Sequence, residues 1–441
     1  MLESFNLELK GPMYLYKNLL LKIFLAFYSL LWRIALPVLR CFPRLSNGWQ
    51  QRTLHEVHAG PFDLWLQAAS GGESLLSLMV LRQLQRDMGP VRGCRILLSA
   101  GTSQGVGILL QGKKEIEAVS DIEVQVVYFP LDAPFIMRSA LKIYRPKVIA
   151  IIETELWPGL LYCARQASVP VLIVNGRMSA GSYRSYRHLR PFFRDYGPKK
   201  IFAIAGDDQR RFADVFGIDR VQAMHNMKFD RLDTLLEPAA KKFAFLEKKK
   251  FVVLGSIRRQ EEEEIVLALK RFLDERPDVV VGIFPKHIER VASLASLLRQ
   301  NGIEFTQRSD LDVADLHPEV SVVLWDLFGE LASAYAYAHV AFVGGSLAPL
   351  GGQNFLEPLA HGVRPIIGPH WQDFAWVGRG VIEHGLVREV ADSSELVAVL
   401  CEELERECCR ERFREQIEEF FADKKGGTGQ VCAEIGRLIF S

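Results

Sequence analysis

RPKVIAIIETELWP, Arg145 to Pro158, carries strand, loop and helix start in fourteen residues, with two acids where the strand stops. Val148 to Ile152 is an unbroken, β-branched-rich apolar run, the pattern of a strand buried on both faces of a parallel sheet. Pro158 suits the first turn of the helix that follows. If the strand continued through the acids, its period of two would put Glu153 and Glu155 on one side. Two nearby carboxylates there would perturb each other's proton affinity, or grip sugar hydroxyls and cations. The structural alternative has one acid capping the helix and the other paired with an arginine.

The same strand-then-helix grammar recurs on either side. Strands are predicted at Asp63–Ala69, Arg95–Ser99, Val124–Tyr128, Val169–Asn175 and Ile201–Ala205, then at Phe251–Leu254, Val279–Phe284, Val320–Leu324, Val340–Val343 and Pro365–Ile367. The reading is an α/β chain of two doubly wound, Rossmann-like domains. Residues 1–50 form a helical segment, 51–229 the first domain, 230–250 a linker ending in a lysine run, 251–400 the second domain and 401–441 terminal helices. Ligands of such sheets sit at the carboxyl ends of the strands, which predicts a reaction in the cleft between two such domains.

Composition narrows the chemistry. The 441 residues are 49% hydrophobic and 24% charged, enough to build substantial cores. Lys+Arg (54) and Asp+Glu (53) nearly cancel, so nucleic acid bound by bulk charge is not expected. Seven scattered cysteines without a C-x-x-C pair indicate neither a disulfide framework nor a zinc knuckle.

The first fifty residues differ from the rest. Lys10 to Arg52 holds seven basic residues and no acid, within a strongly apolar segment. Its longest uncharged run, Ile23–Trp32, has ten residues, whereas a bilayer core takes about 20. At about 100° per residue, Lys22, Arg33, Arg40 and Arg44 share one side of a helix, giving the pattern of an interfacial helix on anionic lipid. A spanning anchor and a buried helix are the alternatives. Pro37 and Pro43 are expected to kink or end it.

Further residues with possible chemistry fall at predicted strand ends. Ser70-Gly71-Gly72-Glu73 is a capping box with Glu73 folded onto the Ser70 amide, or a glycine-opened substrate approach with Glu73 as proton acceptor. Arg177, Arg184 and Arg187, with Arg190 and Arg194, form either a solvated helix face or a phosphate grip. Gly344-Gly345-Ser346 and the glycines before Asn354 and Glu357 would show backbone N–H groups to an anion, with Glu357 on ribose hydroxyls. Ser256, Lys286 and His287 fall on the same predicted edge.

Taken in order, SGGE (Ser70 to Glu73), YFPLDAP (Tyr128 to Pro134), RPKVIAIIETELWP, PVLIVNGRMS (Pro170 to Ser179), HNMKFD (His225 to Asp230), GSIRRQEEE (Gly255 to Glu263), FPKHIER (Phe284 to Arg290) and AFVGGSLAPLGGQNFLEP (Ala341 to Pro358) resemble the 3-deoxy-D-manno-octulosonic acid (Kdo) transferases of lipid A biosynthesis. The resemblance implies a GT-B pair of Rossmann-type domains with an N-terminal membrane-associated helix. It implies an inverting glycosyltransferase moving Kdo from CMP-Kdo to a lipid A precursor, lipid IVA, at the cytoplasmic face of the inner membrane. In that family pattern Glu73 matches the general base. Glu153, Glu155, Arg177, Arg184 and Arg187 would serve the acceptor. Ser256, Lys286, His287, Gly345, Ser346, Asn354 and Glu357 would serve the donor, with no metal or other cofactor. The chain departs from the family at Lys286, where arginine is usual, at Gln353 and at His225. Another GT-B enzyme or sugar-nucleotide hydrolase with a UDP donor, and a catalytically silent membrane scaffold, are the competing readings.

Overall fold

Two all-parallel sheets of seven strands each dominate the computed structural model, which describes residues 12–87, 93–204, 206–230, 243, 246, 249–311, 320–406 and 409–440. They belong to separate units, Met1–Asp230 with Lys424–Ser441, and Arg231–Asp423. The first sheet is built from β1 (Phe62–Ala68), β2 (Arg95–Ala100), β3 (Glu123–Tyr128), β4 (Pro146–Ile152), β5 (Val171–Gly176), β6 (Lys200–Ala203) and β7 (Val221–Ala223), in the order β3-β2-β1-β4-β5-β6-β7. Leu64 on β1 stands level with Ile96 on one side and Val148 on the other. The winding reverses between β1 and β4, so two loops diverge there and leave a crevice at the carboxyl ends, the place where such sheets bind ligands.

Strand alternation explains the continuous apolar runs. Leu64, Leu66, Val148 and Ala150 enter one core, while Trp65, Ile149 and Ile151 enter another on the opposite face. A sheet covered on both faces offers no polar side for alternate residues.

In the second unit β8 (Lys250–Ile257), β9 (Val279–Pro285), β10 (Thr306–Gln307), β11 (Val322–Leu324), β12 (Val340–Val343), β13 (Pro365–Ile367) and β14 (Arg388–Glu389) run in the order β10-β11-β9-β8-β12-β13-β14. The winding reverses between β8 and β12. Val252, Leu254 and Val281 face one core and Phe251, Val253 and Val280 the other. Strands β7, β10 and β14 lie at sheet edges and have two or three residues, too few for an alternation to show in sequence. Of the expected linker 230–250, residues 231–242 lie outside the described residues. Phe243 and Leu246 are buried against Trp325 and its neighbours, so they belong to the core of the second unit.

The terminal helices divide between the units. Arg410–Phe421 goes with the second, whereas Gly427–Phe440 packs on helix Gly71–Asp87 and on β4 of the first. Asp230 fixes its start, accepting from the amides of Gly426 (2.6 Å) and Thr428 (2.7 Å). Gly427 is required there, because a Cβ would lie 2.0 Å from the His225 carbonyl oxygen.

Helix Pro12–Leu39 runs through Pro37 for two more residues, and a short helix begins at Pro43. The expected break is therefore delayed: a proline near the end of a helix disturbs only its last turn. One side of the helix, with Leu21, Phe24, Leu25, Tyr28, Trp32 and Leu36, packs on the first unit. Ile23, Phe27, Leu30, Leu31, Ile34 and Val38 form an exposed apolar stripe beside it, about 100° wide on an ideal helix. Among the described residues no helix is long and apolar enough to cross a membrane. Every described cysteine is a free thiol.

Ile435, fully buried between the terminal helix and the first sheet, sets a test of that docking. Ile435→Ala should cost about 2–5 kcal/mol, read from the shift in the urea unfolding midpoint of the full chain.

Candidate active site

In the first unit Glu73 sits in the opening turn of helix Gly71–Asp87, directly after β1. Its carboxylate folds back, but onto the amide of Ala69 (2.7 Å) and not that of Ser70. The Ser70 hydroxyl donates to its other oxygen at 3.0 Å. A capping interaction thus exists, with the reach shifted by one residue. Burial, with the charges of Glu153 and Glu155 adding to it, pushes the carboxyl up to about 7 against the pull of the Ala69 amide. Three acids from two neighbouring strand ends have been brought together.

The route differs from the period-two expectation. β4 ends at Ile152, and Glu153 turns into the left-handed region at φ +59°, so the strand does not run through the acids. Glu153 pairs with Lys228 at 2.8 Å, and Glu155 accepts from the Trp157 indole at 3.1 Å. Burial raises the Glu155 carboxyl above its ordinary value. Neither acid caps helix Pro158–Gln166; that task falls to Asp132, which accepts from the amides of Gly159 and Leu160, both at 2.7 Å. Thr154 joins the loop to the end of β5, donating to the Arg177 carbonyl and accepting from the Arg177 amide at 3.1 Å.

The arginines sit outside this acidic core. Arg177 is exposed, though close enough to Asp208 to lower that acid's proton affinity where burial, the larger cause, raises it. Arg184 and Arg187 are exposed on Ala180–Arg187, a helix with no buried residue, whereas Arg190 pairs with Asp214. Tyr186 from the same helix reaches the acids: burial raises its phenol, and Glu155 adds to the effect.

In the second unit Gly255 and Ser256 lie just before the last residue of β8, Ser256 in the left-handed region at φ +56°. Lys286, Asn354 and Glu357 come together. The Asn354 amide donates to Glu357 at 3.0 Å. Lys286 has an accessible side chain in crowded surroundings. Desolvation lowers its proton affinity, Glu357 opposes that, and Arg258 reinforces it. His287 is exposed at the start of the turn Ile288–Arg290.

Gly345 and Ser346 require a correction. Their amides were expected to meet a nucleotide phosphate; instead they donate to Glu261, at 2.5 and 2.9 Å, with the Leu347 amide at 2.8 Å. Glu261 is fully buried, and Ser346, also buried, uses its hydroxyl on the Val343 carbonyl at 2.6 Å. An internal carboxylate has taken the place of the anion that a glycine-rich loop after a strand attracts. The next acid, Glu262, clasps Arg290 through two bonds of 3.0 and 2.6 Å and so fixes the loop that carries Lys286 and His287. Among the described residues there is no group of three acidic, histidine or cysteine side chains able to hold a metal.

Residues 46–231 match the model of a family described as 3-deoxy-D-manno-octulosonic-acid transferase. A 3-deoxy-D-manno-octulosonic acid transferase of Haemophilus influenzae is 28% identical over 387 residues, covering 84% of this chain and 88% of its own. Over most of its length the chain is thus similar to Kdo transferases. A bifunctional glycosyltransferase/methyltransferase of Fusobacterium nucleatum is 27% identical over 90% of this chain, which spans only 61% of that longer protein. A UDP-GlcNAc 2-epimerase structure from Neisseria meningitidis aligns over 86% of this chain and 99% of its own with a TM-score of 0.56 at 12% identity, a likeness of fold alone.

The family match over residues 46–231 takes in Glu73, the paired acids and Arg177 to Arg187 but not Lys286, Asn354 or Glu357. Lys228, Asp132 and Glu261 carry no role in the sequence reading, since a tie between distant loops leaves no spacing signal. Glu261→Ala should leave the amides of Gly345, Ser346 and Leu347 buried without an acceptor. A loss of about 3 kcal/mol or more is expected, measured by urea unfolding, with Glu261→Gln recovering part of it.

Proposed function

We propose that this chain transfers Kdo from CMP-Kdo to a hydroxyl of a lipid A precursor, lipid IVA, with inversion at the anomeric carbon. The observation that carries the reading is Glu73, a half-buried carboxyl pushed up to about 7 beside Glu153 and Glu155. A general base works best when its pKa lies near the working pH. Glu73 takes the proton of the acceptor hydroxyl while that oxygen bonds to the anomeric carbon. The sugar–phosphate bond breaks and CMP leaves with its electron pair.

Glu155 and the Lys228-held Glu153 suit hydrogen bonding to acceptor sugar hydroxyls, and Arg177, Arg184 and Arg187 suit its phosphates. On the donor side Lys286, Asn354 and Glu357 form the supporting cluster, with Ser256 and His287 beside it. Gly345 and Ser346 shape the loop through Glu261 and not by holding phosphate directly. The leaving group is a monophosphate that cations and amides can stabilise, and no divalent ion is invoked.

The test is mass-spectrometric product analysis with CMP-Kdo and lipid IVA, with UDP-sugars as alternative donors. Addition of Kdo from CMP-Kdo is expected; unchanged acceptor, or transfer only from a UDP donor, would refute the reading. Glu73→Gln should lower the rate at least a hundredfold, of the order that loss of a general base causes. Because the base must be ionised, kcat/KM should fall about tenfold per pH unit below about 7. A carboxyl left at the ordinary 4.5 would give a flat profile to about pH 5.5.

The reading places the protein on the cytoplasmic face of the inner membrane through helix Pro12–Leu39. Its exposed stripe, flanked by exposed Arg33 and Arg40, fits an anionic lipid surface. Flotation with phosphatidylglycerol vesicles should recover the protein, and Phe27→Glu with Ile34→Glu should cut the bound fraction about tenfold. Equal flotation of the double variant would remove the helix from membrane binding.

A further inference from the structure

Asp132 lies in the loop after β3 and is 1% exposed. Its carboxylate receives three donors: Oδ2 from the Gly159 amide (2.7 Å) and the Tyr28 hydroxyl (2.8 Å), Oδ1 from the Leu160 amide (2.7 Å). Gly159 and Leu160 are the second and third residues of helix Pro158–Gln166, whose N-cap, Trp157, offers no capping side chain. Asp132 therefore caps this helix from a distant part of the chain, and the fit is close: a Cβ on Gly159 would meet the Asp132 carbonyl oxygen at 2.2 Å.

Each end of this contact leads somewhere. Trp157, just before the capped helix, packs on Phe129 with ring centroids 5.6 Å apart and donates to Glu155. Tyr28 belongs to helix Pro12–Leu39, on the side turned away from the exposed apolar stripe, and packs edge-on against Trp32 with centroids 6.2 Å apart. One carboxylate oxygen is thus shared between the N-terminal helix and the helix that begins where the acid loop ends. Burial pushes the Asp132 carboxyl up to about 7 while the amides and Tyr28 pull it down. On so deeply buried a carboxylate the loss of any one of these three donors is costly.

We infer that Asp132 is a positioning residue that couples the seating of helix Pro12–Leu39 on a lipid surface to the placement of the Glu153–Trp157 loop. The coupling rests on the transferase reading above. When the helix is held in place, Tyr28 keeps its bond, Asp132 keeps both amides in line, and Trp157 presents Glu155. When the helix shifts, the shared oxygen loses a donor and the helix start that orders the acid loop loosens. Membrane contact is thereby felt at the acceptor acids without passing through the sheet.

The full chain, as wild type, Tyr28→Phe and Asp132→Asn, is assayed with CMP-Kdo on two acceptors. One is the lipid A precursor in saturating phosphatidylglycerol vesicles, and the other is its de-acylated, water-soluble disaccharide. Tyr28→Phe should lower the ratio of vesicle to soluble kcat at least fivefold. Asp132→Asn should lower kcat on both acceptors at least tenfold with the KM for CMP-Kdo unchanged. Hydrogen exchange at Gly159 and Leu160 should quicken in both variants. An unchanged kcat ratio in Tyr28→Phe overturns the proposal, as does a defect confined to donor KM. Should Asp132→Asn not fold, the Tyr28→Phe ratio decides. If the wild type transfers no Kdo, the transferase reading fails by itself. Exchange then judges the coupling: faster exchange at Gly159 and Leu160 in Tyr28→Phe supports it, and unchanged exchange overturns it.

Discussion

A parallel βαβ sheet gathers helix N-termini and open loop amides along the carboxyl edge of its strands, and such an edge attracts anions. This chain satisfies much of that demand with carboxylates of its own. Glu261 gathers the amides of Gly345, Ser346 and Leu347, Asp132 those of Gly159 and Leu160, and Asp208 that of Met178. Each draws together loops that the sheet would otherwise leave independent, and each trades hydration of a charge for oriented backbone donors. Removing Glu261 or Asp132 orphans several amides at once, so these contacts hold the loops more firmly than surface ion pairs of the same number would.

Glu73 uses the same device to a different end. It has one backbone donor and one hydroxyl where Glu261 has three amides within 2.9 Å, and its neighbours include two further acids. Burial, opposed by so few donors, and like charges leave its proton affinity high. The first unit therefore joins a reactive carboxyl to a rigid frame. Lys228, by pairing with Glu153, tempers the repulsion that three adjacent carboxylates would otherwise suffer. In the second unit Glu357 partly offsets the desolvation of Lys286.

Much of the architecture was legible in the residues. Runs such as Val148–Ile152, short, β-branched and bounded by turn signals, read as strands covered on both faces, and the turns after them pointed to the residues at the carboxyl edge. Glu73 was visible because Ser-x-x-Glu before an apolar stripe has few physical meanings, and the Glu153/Glu155 pair because two acids interrupt an apolar run. The edge strands β7, β10 and β14 escaped notice, being too short for periodicity. Gly345 and Ser346 were read as open to a ligand because glycine density reports exposed amides but not what occupies them.

The sequence by itself determined the two doubly wound domains and the acids that close the strand before Pro158, while the strand order and the points at which the windings reverse came from the fold. The domains and the acids follow from local periodicity and from where apolar runs stop. Tertiary structure alone decided the partners: Lys228 for Glu153, Trp157 for Glu155, Glu261 for the glycine loop, Tyr28 and two amides for Asp132. Three of these pairings, Lys228–Glu153, Glu261–Gly345 and Tyr28–Asp132, join residues 75 to 104 positions apart. Burial and hydrogen-bond satisfaction are properties of the folded neighbourhood, and they set whether a carboxylate is a base, a cap or a tie.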